Sequence, residues 1–232
     1  MRIVIALLSI LAAATPSHAQ EVDNGTRHRV DISAPPWNAV GQVNTAAYSR
    51  CTGILISRQM AVTAAHCLFN RAAGRFLAPS SVHFVLGYDR GAYAFQTVAS
   101  EIRMDPAQDG TRTLVAAPRD WAVLVLADAA PISITPLPVA DVEPETGAEL
   151  SAAGFGRDRA YALTVAHDCR SMGLTAPDLL AMRCPVIQGY SGGPVLNGAG
   201  ELVGITVAGT KTRDGDVALA VASGAWRAAV GL

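Results

Sequence analysis

Short strand-like runs punctuated by turn residues constrain this chain more than any other feature. They recur over Val40 to Val43, Thr52 to Ile56, Met60 to Thr63, Val82 to Leu86, Thr97 to Ile102 and Val123 to Leu126. After a Pro-rich connector from Ala129 to Pro144, a second set covers Glu149 to Ala153, Ala162 to Ala166, Ala181 to Cys184, Pro194 to Leu196, Leu202 to Ala208 and Val217 to Ala222. Many short strands with little amphipathic helix predict an all-β barrel or sandwich in two halves. A short helix is expected at the end, from Gly224 to Val230. With 232 residues, half of them apolar and 16% charged, the chain can bury a sizeable core and is not composed like a disordered protein.

One turn carries the chemistry: Gln188-Gly189-Tyr190-Ser191-Gly192-Gly193-Pro194. Glycines around a serine admit backbone angles closed to other residues and let a substrate approach. They also free the N–H groups of Gly189 and Ser191 to point at a developing oxyanion. A serine hydroxyl needs a base to act as nucleophile. Gly189-x-Ser191-x-Gly193 fits the nucleophile elbow of α/β-hydrolases, whose histidine follows the serine. The histidines here are His18, His28, His66, His83 and His167, all before Ser191, so that triad cannot be completed. The order His, Asp, Ser remains. In Ala61-Val62-Thr63-Ala64-Ala65-His66-Cys67 a histidine directly follows an apolar strand and precedes a cysteine, which suits a base held rigidly. In Arg119-Asp120-Trp121-Ala122-Val123-Leu124 an acid stands at the mouth of an apolar strand. Accepting a hydrogen bond from a histidine ring would compensate its burial and set the tautomer. A subtilisin-like order could be forced with Asp31, but the β-rich pattern opposes that α/β fold.

The remaining signals concern location and partners. Met1-Arg2, the apolar run Ile3 to Ala14 and Ser17-His18-Ala19 read as a signal peptide over residues 1–19. The apolar run is too short to span a bilayer, which takes roughly 20 residues. Export to a periplasmic or extracellular, oxidising setting agrees with four cysteines, Cys51, Cys67, Cys169 and Cys184. These allow three connectivities, of which sequential pairing is the simplest. Zinc-type spacings are absent, so disulfides rather than a metal site are expected. Residues 20–34 are polar and turn-rich and read as an N-terminal segment of the pro-segment type, with Arg27-His28-Arg29 a candidate processing point and Asn24-Gly25-Thr26 matching a glycosylation sequon. The net charge of -1 provides no footprint for nucleic acid or an anionic membrane. Nothing in the sequence demands a second subunit, and a monomer is expected.

Taken together, Cys51-Thr52-Gly53-Ile54-Leu55-Ile56, then Val62-Thr63-Ala64-Ala65-His66-Cys67, then Asp120-Trp121-Ala122-Val123-Leu124, then Gly189-Tyr190-Ser191-Gly192-Gly193-Pro194 resemble a trypsin-like, chymotrypsin-fold serine protease. The bacterial branch that includes glutamyl endopeptidases is the most similar. The resemblance implies two packed six-stranded antiparallel β-barrels, at 35–128 and 146–232, joined by a connector at 129–145. It implies disulfides Cys51–Cys67 and Cys169–Cys184. It also implies a triad of His66, Asp120 and Ser191 in the cleft between barrels, acting on peptide or protein substrates through an acyl-enzyme, with no cofactor. Two alternatives on the same fold are a non-catalytic binding protein and an esterase.

Three positions depart from relatives. Animal digestive members carry an aspartate just before the serine, pairing with a new N-terminal ammonium; here Tyr190 stands there, so packing around Tyr190 is expected to build the oxyanion hole. The acid of trypsin-type pockets would fall at Pro185, which offers no counter-charge to lysine or arginine. Glutamyl endopeptidases place a histidine where this chain has Thr206. The expected pocket residues, Pro185, Gln188, Thr206, Val207, Ala208 and Gly209, are mostly small or apolar, and so is the P1 side chain they would accept.

Overall fold

The computed structural model describes residues 26–47 and 49–232. The expected signal peptide lies outside the described residues. Among the described residues, twelve strands build two barrels, and a small hairpin pairs Phe69–Asn70 with Arg75–Phe76. The first six are β1 (Val40–Thr45), β2 (Arg50–Ser57), β3 (Met60–Thr63), β4 (Val82–Leu86), β5 (Phe95–Met104) and β6 (Ala122–Leu126). The second six are β7 (Glu149–Gly154), β8 (Thr164–Ala176), β9 (Leu179–Arg183), β10 (Pro194–Asn197), β11 (Leu202–Thr212) and β12 (Gly215–Ala222).

Each set closes into an antiparallel barrel. Neighbours run β1-β2-β3-β6-β5-β4 in the first, closed by Gly41 opposite Leu86. In the second they run β7-β8-β9-β12-β11-β10, closed by Ser151 opposite Leu196. The two halves therefore share one topology although their sequences show no internal repeat. Closure removes the exposed edges that short strands would otherwise present.

Alternation sorts side chains between barrel interior and surface. Ile54, Leu55, Val62, Phe84, Leu86 and Leu124 are fully buried in the first half, and Leu180, Met182, Val195 and Ala220 in the second. One core cluster joins first-barrel residues to Leu163, Val165, Leu202, Ile205 and Trp226, so the barrels share a continuous apolar contact. The Pro-rich connector bonds to both: Leu137 N–H donates to the Leu55 carbonyl at 2.9 Å, and Leu202 N–H to the Pro138 carbonyl at 2.8 Å.

The barrel strands sit where the apolar runs predict, with several ends displaced, most of all in β8 and β11. Strand β8 continues to Ala176, far past Ala166, because its polar outer stretch pairs with β9 across Arg170–Arg183 and Leu174–Leu180. The turn-rich N-terminal segment contains a short strand, His28–Arg29, paired with Val165 and Thr164 of β8. At the C-terminus a 3-10 turn, Ser223–Ala225, precedes a single short helix, α1 (Arg227–Val230). The disulfides are Cys51–Cys67 and Cys169–Cys184, closing sequence separations of 16 and 15.

Candidate active site

His66 lies in a 3-10 turn, Ala65–Leu68, that follows β3 directly. The next residue, Cys67, is tied by its disulfide to Cys51 on β2. Asp120 sits between a second 3-10 turn, Ala117–Arg119, and β6, and is only 6% exposed. Its carboxylate grips His66 twice. Oδ1 accepts the His66 backbone N–H at 2.8 Å, and Oδ2 lies 2.6 Å from Nδ1. The Asp120 carbonyl also accepts the Ala65 N–H. A carboxylate facing Nδ1 favours the proton on that nitrogen, so in the neutral imidazole Nε2 is the one with a free lone pair.

Ser191 belongs to the loop between β9 and β10. The backbone groups of this loop can be followed one by one. The Gln188 carbonyl accepts from Arg157 N–H at 2.8 Å, and the Gly189 carbonyl from the Thr52 hydroxyl at 2.8 Å. Tyr190 N–H donates to Ile187, and its carbonyl accepts from Gly193 N–H. The Ser191 carbonyl accepts from Thr52 N–H at 2.9 Å, and Gly192 N–H donates to Thr206 at 2.7 Å. The N–H groups of Gly189 and Ser191 have no acceptor among the described residues. Both residues border a cleft of about 660 Å³ that His66 also lines.

Two glycines make this loop possible. Gly189 has φ +105°, and a Cβ there would strike the Phe155 carbonyl oxygen. Gly192 has φ +77°, and a Cβ would run into the Thr63 hydroxyl and the Thr52 carbonyl. L side chains rarely adopt either conformation. The loop thus packs against β2 and β3 so closely that first-barrel backbone sets its path.

Thr52 was not distinguishable in the sequence from any β-branched strand residue. It is fully buried, and its hydroxyl also accepts the Phe155 N–H at 3.1 Å. Tyr190 is equally buried; its phenol meets Thr164, at 2.8 Å from the hydroxyl and donating to the carbonyl at 3.0 Å. Burial pushes the Tyr190 phenol up, so it is neutral near pH 7.

Of the expected pocket residues, Gln188, Thr206, Val207, Ala208 and Gly209 line the cleft. Pro185 is not among the lining residues, and its neighbours Val186 and Ile187 are. Val186 leans on Gly209, its Cγ2 2.7 Å from where a Cβ would stand, which brings the pocket walls together. The Thr206 hydroxyl is buried with no hydrogen-bond partner among the described residues. Arg50, Arg71 and Arg112 also line the cleft, and among the described residues no aspartate or glutamate does. Donor atoms of Cys51, His66 and Cys67 lie within 4.8 Å of one another, but both sulfurs are engaged in the disulfide and are not thiolate ligands. Asp31, which a subtilisin order would need, spends its carboxylate on the Ser33 N–H and hydroxyl.

Known proteins share this fold. A Glu endopeptidase, solved in complex with MPD, superposes with a TM-score of 0.73 at 17% identity, covering 89% of this chain and 97% of that one. Human heparin binding protein superposes with a TM-score of 0.70 at 17% identity, covering 88% and 94%. Identities this low speak to the fold alone, and the two names show that the fold serves different ends. No curated protein matches the sequence. A family model described as the trypsin-like peptidase domain matches residues 51–205, a stretch that contains His66, Asp120 and Ser191. The chain therefore belongs to the trypsin-like peptidase family.

Proposed function

We propose that this protein is an exported serine endopeptidase in which His66, Asp120 and Ser191 act as the triad. The observation that carries this reading is the combination of two unsatisfied loop amides with a histidine fixed in one tautomer beside the same cleft. A substrate carbonyl would enter next to Ser191. His66 Nε2 takes the hydroxyl proton as Oγ attacks, and Asp120 stabilises the imidazolium. The N–H groups of Gly189 and Ser191 receive the oxyanion, each such donor being worth about 10²–10³ in rate. The imidazolium then protonates the leaving amine, and water releases the acyl group by the same steps. Two disulfides support an oxidising destination.

The cleft supports a small, apolar P1 residue. Among the described residues no carboxylate lines it to pair with lysine or arginine, and Val186 against Gly209 limits its width. Thr206 occupies the place where glutamyl endopeptidases carry histidine, so glutamate specificity is not proposed. The arginine-lined wall favours one second reading, a binding protein for an anionic partner. Labelling of oxidised protein with a fluorophosphonate, read by intact mass, separates the two. A single adduct that disappears in Ser191→Ala supports the protease; a folded, unlabelled protein refutes it.

A further inference from the structure

The N-terminal segment reaches the loop that carries Ser191. Arg27 immediately precedes the strand His28–Arg29, whose pairing with Thr164 and Val165 anchors the segment along the second barrel. The Arg27 guanidinium makes two hydrogen bonds to the Asp158 carboxylate, at 2.8 and 3.2 Å. Its central carbon lies 5.9 Å from the centre of the Tyr190 ring. The arginine side chain is only 13% exposed. Fork-shaped pairing and a cation over a neutral aromatic face are both attractive geometries.

Asp158 belongs to the 3-10 turn Arg157–Arg159. From that turn, Arg157 N–H donates to the Gln188 carbonyl at 2.8 Å, and the Arg157 guanidinium to the Gln188 side-chain oxygen at 3.1 Å. The C=O of Gln188 and the N–H of Gly189 belong to one planar trans peptide and point in opposite directions. Holding the carbonyl at Arg157 therefore turns the Gly189 N–H to the other side, where it has no acceptor among the described residues. Glycine at position 189 leaves this peptide free to rotate unless something holds it.

We infer that Arg27 is a positioning residue that locks the Gln188–Gly189 peptide with its N–H facing the cleft. It holds one side of the loop through Asp158 and Arg157, and the other through Tyr190. The inference rests on the protease reading above, in which that N–H binds the oxyanion. A cut after Arg27 or Arg29 would leave the clamp on the departing segment, so the Arg27-His28-Arg29 stretch is a place where proteolysis would switch activity off.

The test compares wild type with Arg27→Gln, Arg27→Lys and Arg27→Gly, checking each for unchanged thermal unfolding. Arg27→Gln is expected to lower kcat about 10- to 100-fold, with KM within about two-fold, because ground-state binding does not use the oxyanion donor. Arg27→Lys restores part of the loss, and millimolar guanidinium restores activity to Arg27→Gly. Equal kcat in wild type and Arg27→Gln, or a loss that guanidinium does not repair, overturns the lock. Amide exchange over residues 186–193 provides a readout independent of turnover. Faster exchange in Arg27→Gln supports the lock and unchanged exchange overturns it, even where an inert wild type has refuted the protease reading itself.

Discussion

Replacing Thr52 by valine tests how far the first barrel holds the loop that carries Ser191 in place. The change conserves shape and removes only the hydroxyl, which donates to the Gly189 carbonyl at 2.8 Å and accepts the Phe155 N–H at 3.1 Å. Thr52 is fully buried, so no solvent replaces these bonds without a rearrangement. Each buried polar group left unpaired costs about 1–3 kcal/mol, and two are left here, giving a destabilisation of about 2–6 kcal/mol for Thr52→Val. Thr52→Ser keeps both bonds and loses one methyl, at about 0.5–1.5 kcal/mol. Stability is read from urea unfolding in a Ser191→Ala background, where autolysis cannot interfere. Fluorophosphonate labelling with Ser191 intact reads the site. Since the Gly189 carbonyl loses its tether, labelling by Thr52→Val should slow by about ten-fold, short of the 10²–10³ expected for removing a donor outright. The reasoning is refuted if Thr52→Val and Thr52→Ser agree within about 0.5 kcal/mol and label equally fast.

Other outcomes follow from the same contacts. Asp120→Asn should leave KM nearly unchanged and lower kcat by about 10³–10⁴-fold, because an amide beside Nδ1 favours the wrong tautomer; steady-state kinetics on a peptide substrate decides it. Val186→Ala should widen the space against Gly209 and raise kcat/KM for a leucine P1 over alanine by about ten-fold, read from a peptide library. Burial, with Asp178 nearby, pushes the Glu143 carboxyl up. Its folded-state pKa exceeds the unfolded one, so the cost is absent at low pH and grows as pH rises through the folded value. Glu143→Gln should therefore raise Tm at pH 7 and leave it unchanged below about pH 4, where the side chain is protonated in both states.

Most of the architecture is legible along the chain because a barrel strand is a local pattern. Alternating β-branched and apolar residues between turn formers locate the strands, and the Pro-rich connector marks the change of half. The triad candidates are also legible, since a base, its orienting acid and a serine among glycines each need a particular local setting: His66 beside Cys67, Asp120 before β6, Ser191 between Tyr190 and Gly192. What holds them together is not local. Thr52 is one threonine among many until folding places its hydroxyl between Gly189 and Phe155. Pro185 falls outside the cleft and Val186 inside it because the loop after β9 turns through backbone bonds that no spacing announces. Arg27 reads as part of a polar leader until its strand pairs with Thr164 and Val165 and carries the guanidinium to Asp158 and Tyr190. The sequence by itself determined the barrel strands and singled out the candidate reactive groups, through periodicity and residue chemistry. Only the tertiary structure decided which polar groups meet, because hydrogen bonds between residues far apart in the chain exist only once the two barrels have closed and packed.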